Sequence, residues 1–136
     1  MDFETKSEVD IAKCGAFKYV EGAEFDVLLL AYAFDDAPVT VLDLSEGQTK
    51  LPAPVLRALT DKSIIKVAHN ATFERVCIGR MLGIQLDPSQ WECTMIQCAR
   101  CGLPMSLGEA AKVLGLQAQK MTEGKELIKE FCTPHA

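Results

Sequence analysis

The sequence lacks three features that would each assign it to a broad class of protein. It has no run of eighteen apolar residues, which a membrane-spanning helix would need. Its amino terminus is acidic and has no basic and then apolar segment of the kind found in secretory signal peptides. Its formal net charge is −5, which argues against a protein that holds duplex DNA by bulk electrostatics. We therefore expect a cytoplasmic protein with no membrane partner.

Cysteine is present six times, but the sequence lacks the pattern of a zinc site. Cys98 and Cys101 form a CxxC pair with Cys93 nearby, and a second close pair of ligands is missing. Without a secretion signal, reduced thiols are the expectation. We expect most of them to be buried as small apolar groups.

The 136 residues suffice for one domain with its own core, and we treat residues 1–136 as that domain. Residues 1–5 resemble the end of a strand, whereas residues 6–24 show no clear periodicity. Two apolar runs, at residues 27–34 and 39–44, flank the turn Asp-Asp-Ala-Pro and predict a hairpin.

Short apolar segments alternate with helical periodicity in the rest of the chain. Residues 52–59 predict a helix with Val55, Leu56 and Leu59 on its inner face. Residues 64–68 predict a buried strand. A helix follows it, with Asn70 as its N-cap and Gly83 as its stop.

Three further helices are predicted near residues 93–101, 106–114 and 122–131. The second has a capping box of Ser106 and Glu109 and an apolar face of Leu107, Ala110, Ala111 and Leu114. The third has Leu127, Ile128 and Phe131 facing inward. This order of elements predicts an α/β domain in which a mixed sheet of ribonuclease-H-like arrangement is flanked by helices.

Two carboxylates near the amino terminus could bind a metal ion. Asp2 and Glu4 are two residues apart, which places both on one face of a strand while Phe3 points into the core. Paired carboxylates repel each other, and a divalent cation between them relieves that repulsion. A solvated acidic strand end is the simpler alternative, and these two residues alone do not exclude it.

A second group of polar residues, at positions 69–74, joins the predicted strand to the following helix. Strand ends are where α/β sheets place their sites, and Asn70 and Glu74 share a helix face. The alternative is an ordinary N-cap followed by a surface glutamate. His69 fits a hydrogen-bonded structural residue or a substrate contact better than a base. Trp91 and Phe17 fit core or rim packing better than base stacking.

The two groups together resemble the first two motifs of the DnaQ-like, or DEDD, 3′–5′ exonucleases: Asp-Phe-Glu-Thr at residues 2–5 and His-Asn-Ala-Thr-Phe-Glu at residues 69–74. Further short matches resemble the exonuclease domain of family A DNA polymerases of bacteriophages and prophages. They are Cys14-Gly15, Tyr19-Val20-Glu21, Trp91-Glu92-Cys93-Thr94-Met95, Gly102-Leu103-Pro104, Ser106-Leu107, Leu114-Gly115-Leu116, Glu123-Gly124-Lys125 and Phe131-Cys132.

The resemblance implies a ribonuclease-H-like fold and hydrolysis of phosphodiester bonds at DNA 3′ ends, single-stranded or frayed. It implies two divalent cations, Mg²⁺ or Mn²⁺, held by the catalytic carboxylates of Asp2, Glu4 and Glu74. Many relatives have aspartate at the position of Glu74, and this branch commonly has glutamate. The implied substrate-binding residues are Thr5, Phe3, His69, Asn70 and Phe73.

The chain departs from this family in its last segment. The family has a third motif, in which a fourth aspartate follows a tyrosine or histidine, and residues 117–136 contain no aspartate. We therefore expect a domain truncated before the third motif, with a polymerase domain in cis in the full-length protein and little activity alone. Two alternatives stay open: an oligoribonuclease-like RNA exonuclease, or an inactive exonuclease-like structural module of a polymerase.

Overall fold

The computed structural model describes residues 1–45, 47, 50–118, 121 and 123–132, except for the side chain of Phe131. The strands are β1 (Asp2–Lys6), β2 (Asp26–Tyr32), β3 (Thr40–Asp43), β4 (Lys66–Ala68) and β5 (Trp91–Cys93). The helices are α1 (Ile11–Val20), α2 (Ala53–Thr60), α3 (Ala71–Leu82), α4 (Thr94–Arg100), α5 (Leu107–Val113) and α6 (Gly124–Cys132), with a 3-10 turn at Pro88–Gln90. Within the described residues, none of these helices combines the length and the apolar character that a bilayer crossing requires.

The first sheet is antiparallel, in the order β1-β2-β3, and it confirms the predicted hairpin. In its register Asp2 lies opposite Ala31, and Phe3 lies opposite Leu30. A bulge between Glu4 and Thr5 shifts the register. Phe3 and Leu30 are buried in the main core, so this face of the sheet packs inward.

The second sheet is a parallel pair, β4 and β5, with Lys66 opposite Trp91. The amino group of Met1 donates a hydrogen bond to the carbonyl oxygen of Val67 at 2.9 Å, which joins β4 to the start of β1. The described chain is therefore a mixed α/β fold: a small antiparallel sheet, a parallel pair beside it, and flanking helices. The ribonuclease-H-like assignment stays a prediction.

Two elements were not expected from the sequence. α1 lies where the sequence showed no clear pattern, with Asp10 accepting a hydrogen bond from the Ala12 N–H as its N-cap. Gly15 has φ 74°, so the helix is kinked there and its side-chain periodicity is interrupted. β5 is only three residues long and ends at Cys93, so the helix predicted from residue 93 begins one residue later, as α4.

The core forms between the first sheet, α2 and α3. Its fully buried side chains include Leu30, Leu59 and Ile78. A smaller cluster, of Tyr19, Val20 and Cys77, lies between α1 and α3. The buried face of α3 and its stop at Gly83, with φ 66°, agree with the sequence prediction.

Several predicted inward positions were wrong. Leu56 of α2 is exposed because α2 turns only Val55 and Leu59 towards the sheet. The exposed apolar side chains of the last two helices include four that were expected to face inward: Leu107, Leu114, Leu127 and Ile128. The predicted start of the last helix at Thr122 and the inward position of Phe131 lie outside what the structure describes.

The six cysteines are free thiols. The expectation that most would be buried was wrong, because only Cys77 is fully buried and Cys14 and Cys101 are exposed. Trp91 packs against the main core, as expected. Phe17 does not belong to the core: its side chain is 61% exposed on α1.

The contrast between Leu59 and Leu56 on one helix gives a matched test of the fold. Leu59 is 1% exposed and Leu56 is 41% exposed. We expect Leu59→Ala to lower the free energy of unfolding by about 2–5 kcal/mol, because it leaves a cavity in the core. Leu56→Ala should cost less than about 1 kcal/mol, since it removes little buried area. Urea denaturation measures both, and equal losses would contradict this packing of α2.

Candidate metal centre

β1 carries two of the predicted metal-binding carboxylates at its amino end. The side chains alternate: Asp2 is exposed, Phe3 is buried and Glu4 is half-buried. Asp2 and Glu4 therefore lie on the face of β1 opposite the main core, as their spacing predicted. The alternation continues past the bulge that follows Glu4, because Thr5 is buried and Lys6 is exposed.

Glu74 is the third predicted ligand, and it lies in the first turn of α3. It shares the inner face of the helix with Ala71 and Ile78, and it is only 2% exposed. Its Oε2 atom has no hydrogen-bond partner. Burial away from water raises the pKa of Glu74 to about 7, and the negative charge of Asp2 raises it as well. A backbone hydrogen bond and the Met1 ammonium lower this pKa and partly offset the increase. A buried carboxylate without a partner is costly, and a bound cation would offset that cost.

Asp2 interacts electrostatically with Glu74, whereas Glu4 interacts with other groups. The carboxylate of Glu4 contributes to the raised pKa values of Tyr19 and Cys132, after the larger effect of burial on each. Within the described part of the chain, no group of three or more His, Cys, Asp or Glu side chains is arranged to hold a metal ion. Asp2 and Glu74 interact electrostatically, and they stay predicted ligands of a cation such as Mg²⁺, which is commonly held by one or two carboxylates with substrate phosphate and water.

Two predicted substrate contacts on β1 have buried side chains. Phe3 packs in the main core. The hydroxyl of Thr5 shares a hydrogen bond with the Tyr19 hydroxyl at 3.0 Å, inside the protein. In this structure neither side chain is open to a bound strand.

The remaining predicted contacts surround the start of α3. Asn70 is exposed and has φ 71°, so it occupies the N-cap position in a left-handed conformation and makes no side-chain cap hydrogen bond. His69 is half-buried; its Nδ1 atom is 2.9 Å from the Thr94 hydroxyl, and its Nε2 atom is 2.7 Å from the Met105 carbonyl oxygen. These bonds give His69 a structural role in joining β4 to the segment before α5. Phe73 is half-buried and packs its ring 6.0 Å from that of Tyr19.

Sequence reasoning missed two residues beside this centre. Tyr19 connects α1 to β1 through Thr5, and its main-chain carbonyl accepts a hydrogen bond from the Ser7 hydroxyl at 2.8 Å. The Sγ atom of Cys93 accepts a hydrogen bond from the Ala71 N–H at 3.4 Å. Burial would raise the pKa of Cys93, but N–H groups at the starts of α3 and α4 hold it below its ordinary value. Both contacts join segments that are distant in sequence, so no local sequence pattern could predict them.

The chain is similar to one curated phage protein along almost its whole length. It is 48% identical over 134 residues to the DNA polymerase of Bacillus phage SP02, and this match covers 98% of the chain. The chain spans about a fifth of that relative, since the match covers 20% of the polymerase. No protein-family profile matches the chain. No solved structure matches it either.

The burial of Glu74 predicts a pH-dependent stability. Its pKa is about 7 in the folded chain and 4.5 as an ordinary glutamate, so between these values the folded state keeps a proton that the unfolded state releases. Without divalent cations, the contribution of Glu74 to stability should be greatest below pH 4.5 and fall by about 3 kcal/mol as the pH rises to about 7 and above. Glu74→Gln should remove this fall and be the more stable protein at pH 8. Urea denaturation between pH 4.5 and 8.5 measures the difference.

The matched control is Glu109→Gln, which makes the same charge change at a side chain that is 58% exposed. Its pH profile should follow that of the unchanged protein. If Glu74→Gln and Glu109→Gln gave the same profile, Glu74 would not be the titrating group.

Proposed function

We propose that this chain is a metal-dependent 3′–5′ exonuclease domain of a phage or prophage DNA polymerase. The observation that carries the proposal is the buried Glu74 carboxylate, which has an unpaired oxygen and lies within electrostatic reach of Asp2. An apolar side chain would fill this position of α3 at lower cost, so a carboxylate there suits a ligand that is a cation.

Each carboxylate has a distinct part in the proposed reaction. A bound Mg²⁺ or Mn²⁺ would neutralise phosphate charge and lower the pKa of a water molecule. Glu74 would hold the cation from the helix side, and Asp2 would hold it from the sheet. Glu4, further along the same face of β1, would help to place the attacking water or hold the second cation of the expected pair.

One finding supports the polymerase context, and another supports the predicted fold. The first is the 48% identity to a phage DNA polymerase, of which the match covers 20%. This share is compatible with a polymerase domain in cis. The second is the position of β4 beside β1, through the Met1–Val67 hydrogen bond, which supports the predicted ribonuclease-H-like order of strands.

Two alternative functions make different predictions. An oligoribonuclease-like enzyme would use the same carboxylates on RNA, and the polymerase relative favours DNA over it. An inactive exonuclease-like module would keep the fold without binding a cation. The electrostatic proximity of Asp2 to Glu74, whose Oε2 atom has no hydrogen-bond partner, favours the catalytic function over this one.

Metal binding provides the first test. At pH 8, Mg²⁺ at about one hundred times its dissociation constant should stabilise the chain by about 2.7 kcal/mol, because the cation binds the folded state. Asp2→Asn and Glu74→Gln should each abolish this gain. Asp36→Asn removes an exposed acid from the β2–β3 turn and should retain it. If all three variants gained equally, the two carboxylates would not bind the ion.

Hydrolysis provides the second test, with a 3′-labelled single-stranded DNA and an RNA of the same sequence. We expect this chain alone to release nucleotides slowly or not at all. A longer polypeptide that includes a third-motif aspartate should degrade the DNA, and Asp2→Ala in it should lower the rate at least about 100-fold, since transition-state charge stabilisation is lost. Faster degradation of the RNA would favour the oligoribonuclease alternative. An unchanged rate in Asp2→Ala would refute the catalytic proposal.

A further inference from the structure

Tyr19 is a buried polar residue to which the proposed function gives no role. Its side chain is 7% exposed, and it lies on α1 in the part of the helix that follows the kink at Gly15. Its hydroxyl lies 3.0 Å from the Thr5 hydroxyl inside the protein, and either group can be the donor. A phenylalanine ring would fill the same space without burying a polar atom, so a tyrosine here suits a role for this hydrogen bond.

Thr5 is the residue through which Tyr19 holds β1. It follows Glu4 directly, and the bulge between these two residues locally disrupts the pairing of β1 with β2. The hydrogen bond to Tyr19 therefore adds a fixed contact beside Glu4, where the ladder constrains the strand less. A second contact follows two residues later, since the Ser7 hydroxyl donates to the main-chain carbonyl of Tyr19 at 2.8 Å.

The ring of Tyr19 packs against α3. Its centroid lies 6.0 Å from that of the Phe73 ring, and the two rings are tilted by 46°. Tyr19 also belongs to one buried cluster with Cys77. Phe73 directly precedes Glu74, and Cys77 follows Glu74 by three residues, less than one helical turn. Tyr19 thus contacts the turn of α3 that carries this carboxylate.

Tyr19 therefore bridges the two elements that carry the candidate ligands, because β1 carries Asp2 and Glu4 whereas α3 carries Glu74. We propose that Tyr19 is a positioning residue of the metal centre, which holds Glu4 in place relative to Glu74. Its hydrogen bond to Thr5 provides this restraint on the β1 side. In this role the Thr5 hydroxyl maintains the geometry of the protein and does not contact a substrate. The inference rests on the proposed function, since it requires these carboxylates to bind a cation.

The test measures how tightly the chain binds Mn²⁺ at pH 8, by electron paramagnetic resonance of the free ion. Tyr19→Phe keeps the ring that packs on Phe73 and removes only the hydroxyl. Thr5→Val removes the other half of the same hydrogen bond at almost constant volume. Each change should raise the Mn²⁺ dissociation constant about 10-fold, since groups that orient metal ligands typically change metal affinity by roughly 10–100-fold. The double variant should bind no more weakly than either single one, because both changes break one bond.

Tyr32→Phe is the matched control. It removes the same hydroxyl from a half-buried tyrosine on β2, whose ring packs edge-on against that of Phe34 at 5.6 Å, and it should leave the dissociation constant unchanged. Urea denaturation of the same variants separates positioning from stability. A purely structural Tyr19 would lower the urea midpoint in Tyr19→Phe and leave its Mn²⁺ affinity unchanged, which would overturn the inference. Because Tyr19→Phe and Thr5→Val test one bond, either variant decides if the other fails to fold.

The outcomes also separate this inference from the proposed function. Suppose that the unchanged chain binds Mn²⁺ and that Asp2→Asn loses the ion. If Tyr19→Phe and Thr5→Val then bind as tightly as the unchanged chain, the metal centre stands and the inference fails. Equal losses of affinity in Tyr32→Phe and Tyr19→Phe would overturn it as well. If the unchanged chain binds no Mn²⁺, the proposed function fails, and this inference fails with it.

Discussion

The burial of one carboxylate, that of Glu74, is the constraint on which the centre of this structure depends. α3 packs Cys77 and Ile78 against its neighbours, and both side chains are fully buried. Glu74 lies one helical turn before Ile78 on the same face, so the packing that forms the core also takes Glu74 out of water. The helix cannot keep its contacts and expose this carboxylate. The chain must therefore keep a proton there, near pH 7, or provide a positive partner.

β1 determines which charges that carboxylate meets. This strand lies between the hairpin partner β2 on one side and Val67 of β4 on the other. Asp2 comes before the bulge and acts electrostatically on Glu74, whereas Glu4 is next to the bulge and acts on Tyr19 and Cys132. Two acids with the spacing of a same-face pair thus have different neighbours, because they lie at different distances along β1 from α3.

The sequence predicts those parts of the fold that local periodicity determines. The hairpin and α3 have strong apolar patterns and unambiguous stops, and both were predicted close to their observed bounds. α1 was missed because Gly15 interrupts its pattern, and β5 because three residues in a parallel pair carry no local signal. Leu56 was placed inward because periodicity gives the apolar stripe of a helix but not its width.

Some features of the candidate site also follow from local sequence, and others do not. The spacing of Asp2 and Glu4 and the helical phase of Glu74 follow from local geometry, so the sequence alone can indicate these acids as candidate ligands. Tyr19 and Cys93 belong to contacts across 14 and 22 residues, which only the folded chain reveals. The lack of a hydrogen-bond partner for the Glu74 oxygen is also visible only in the folded chain, and it is the observation that makes Glu74 a candidate ligand. A protonated glutamate or a glutamine could serve structure alone, and each would prefer a hydrogen-bond partner that this position does not offer. A cation held jointly with Asp2 would satisfy the oxygen and the charge together, and a proton would compete with it for the same atom.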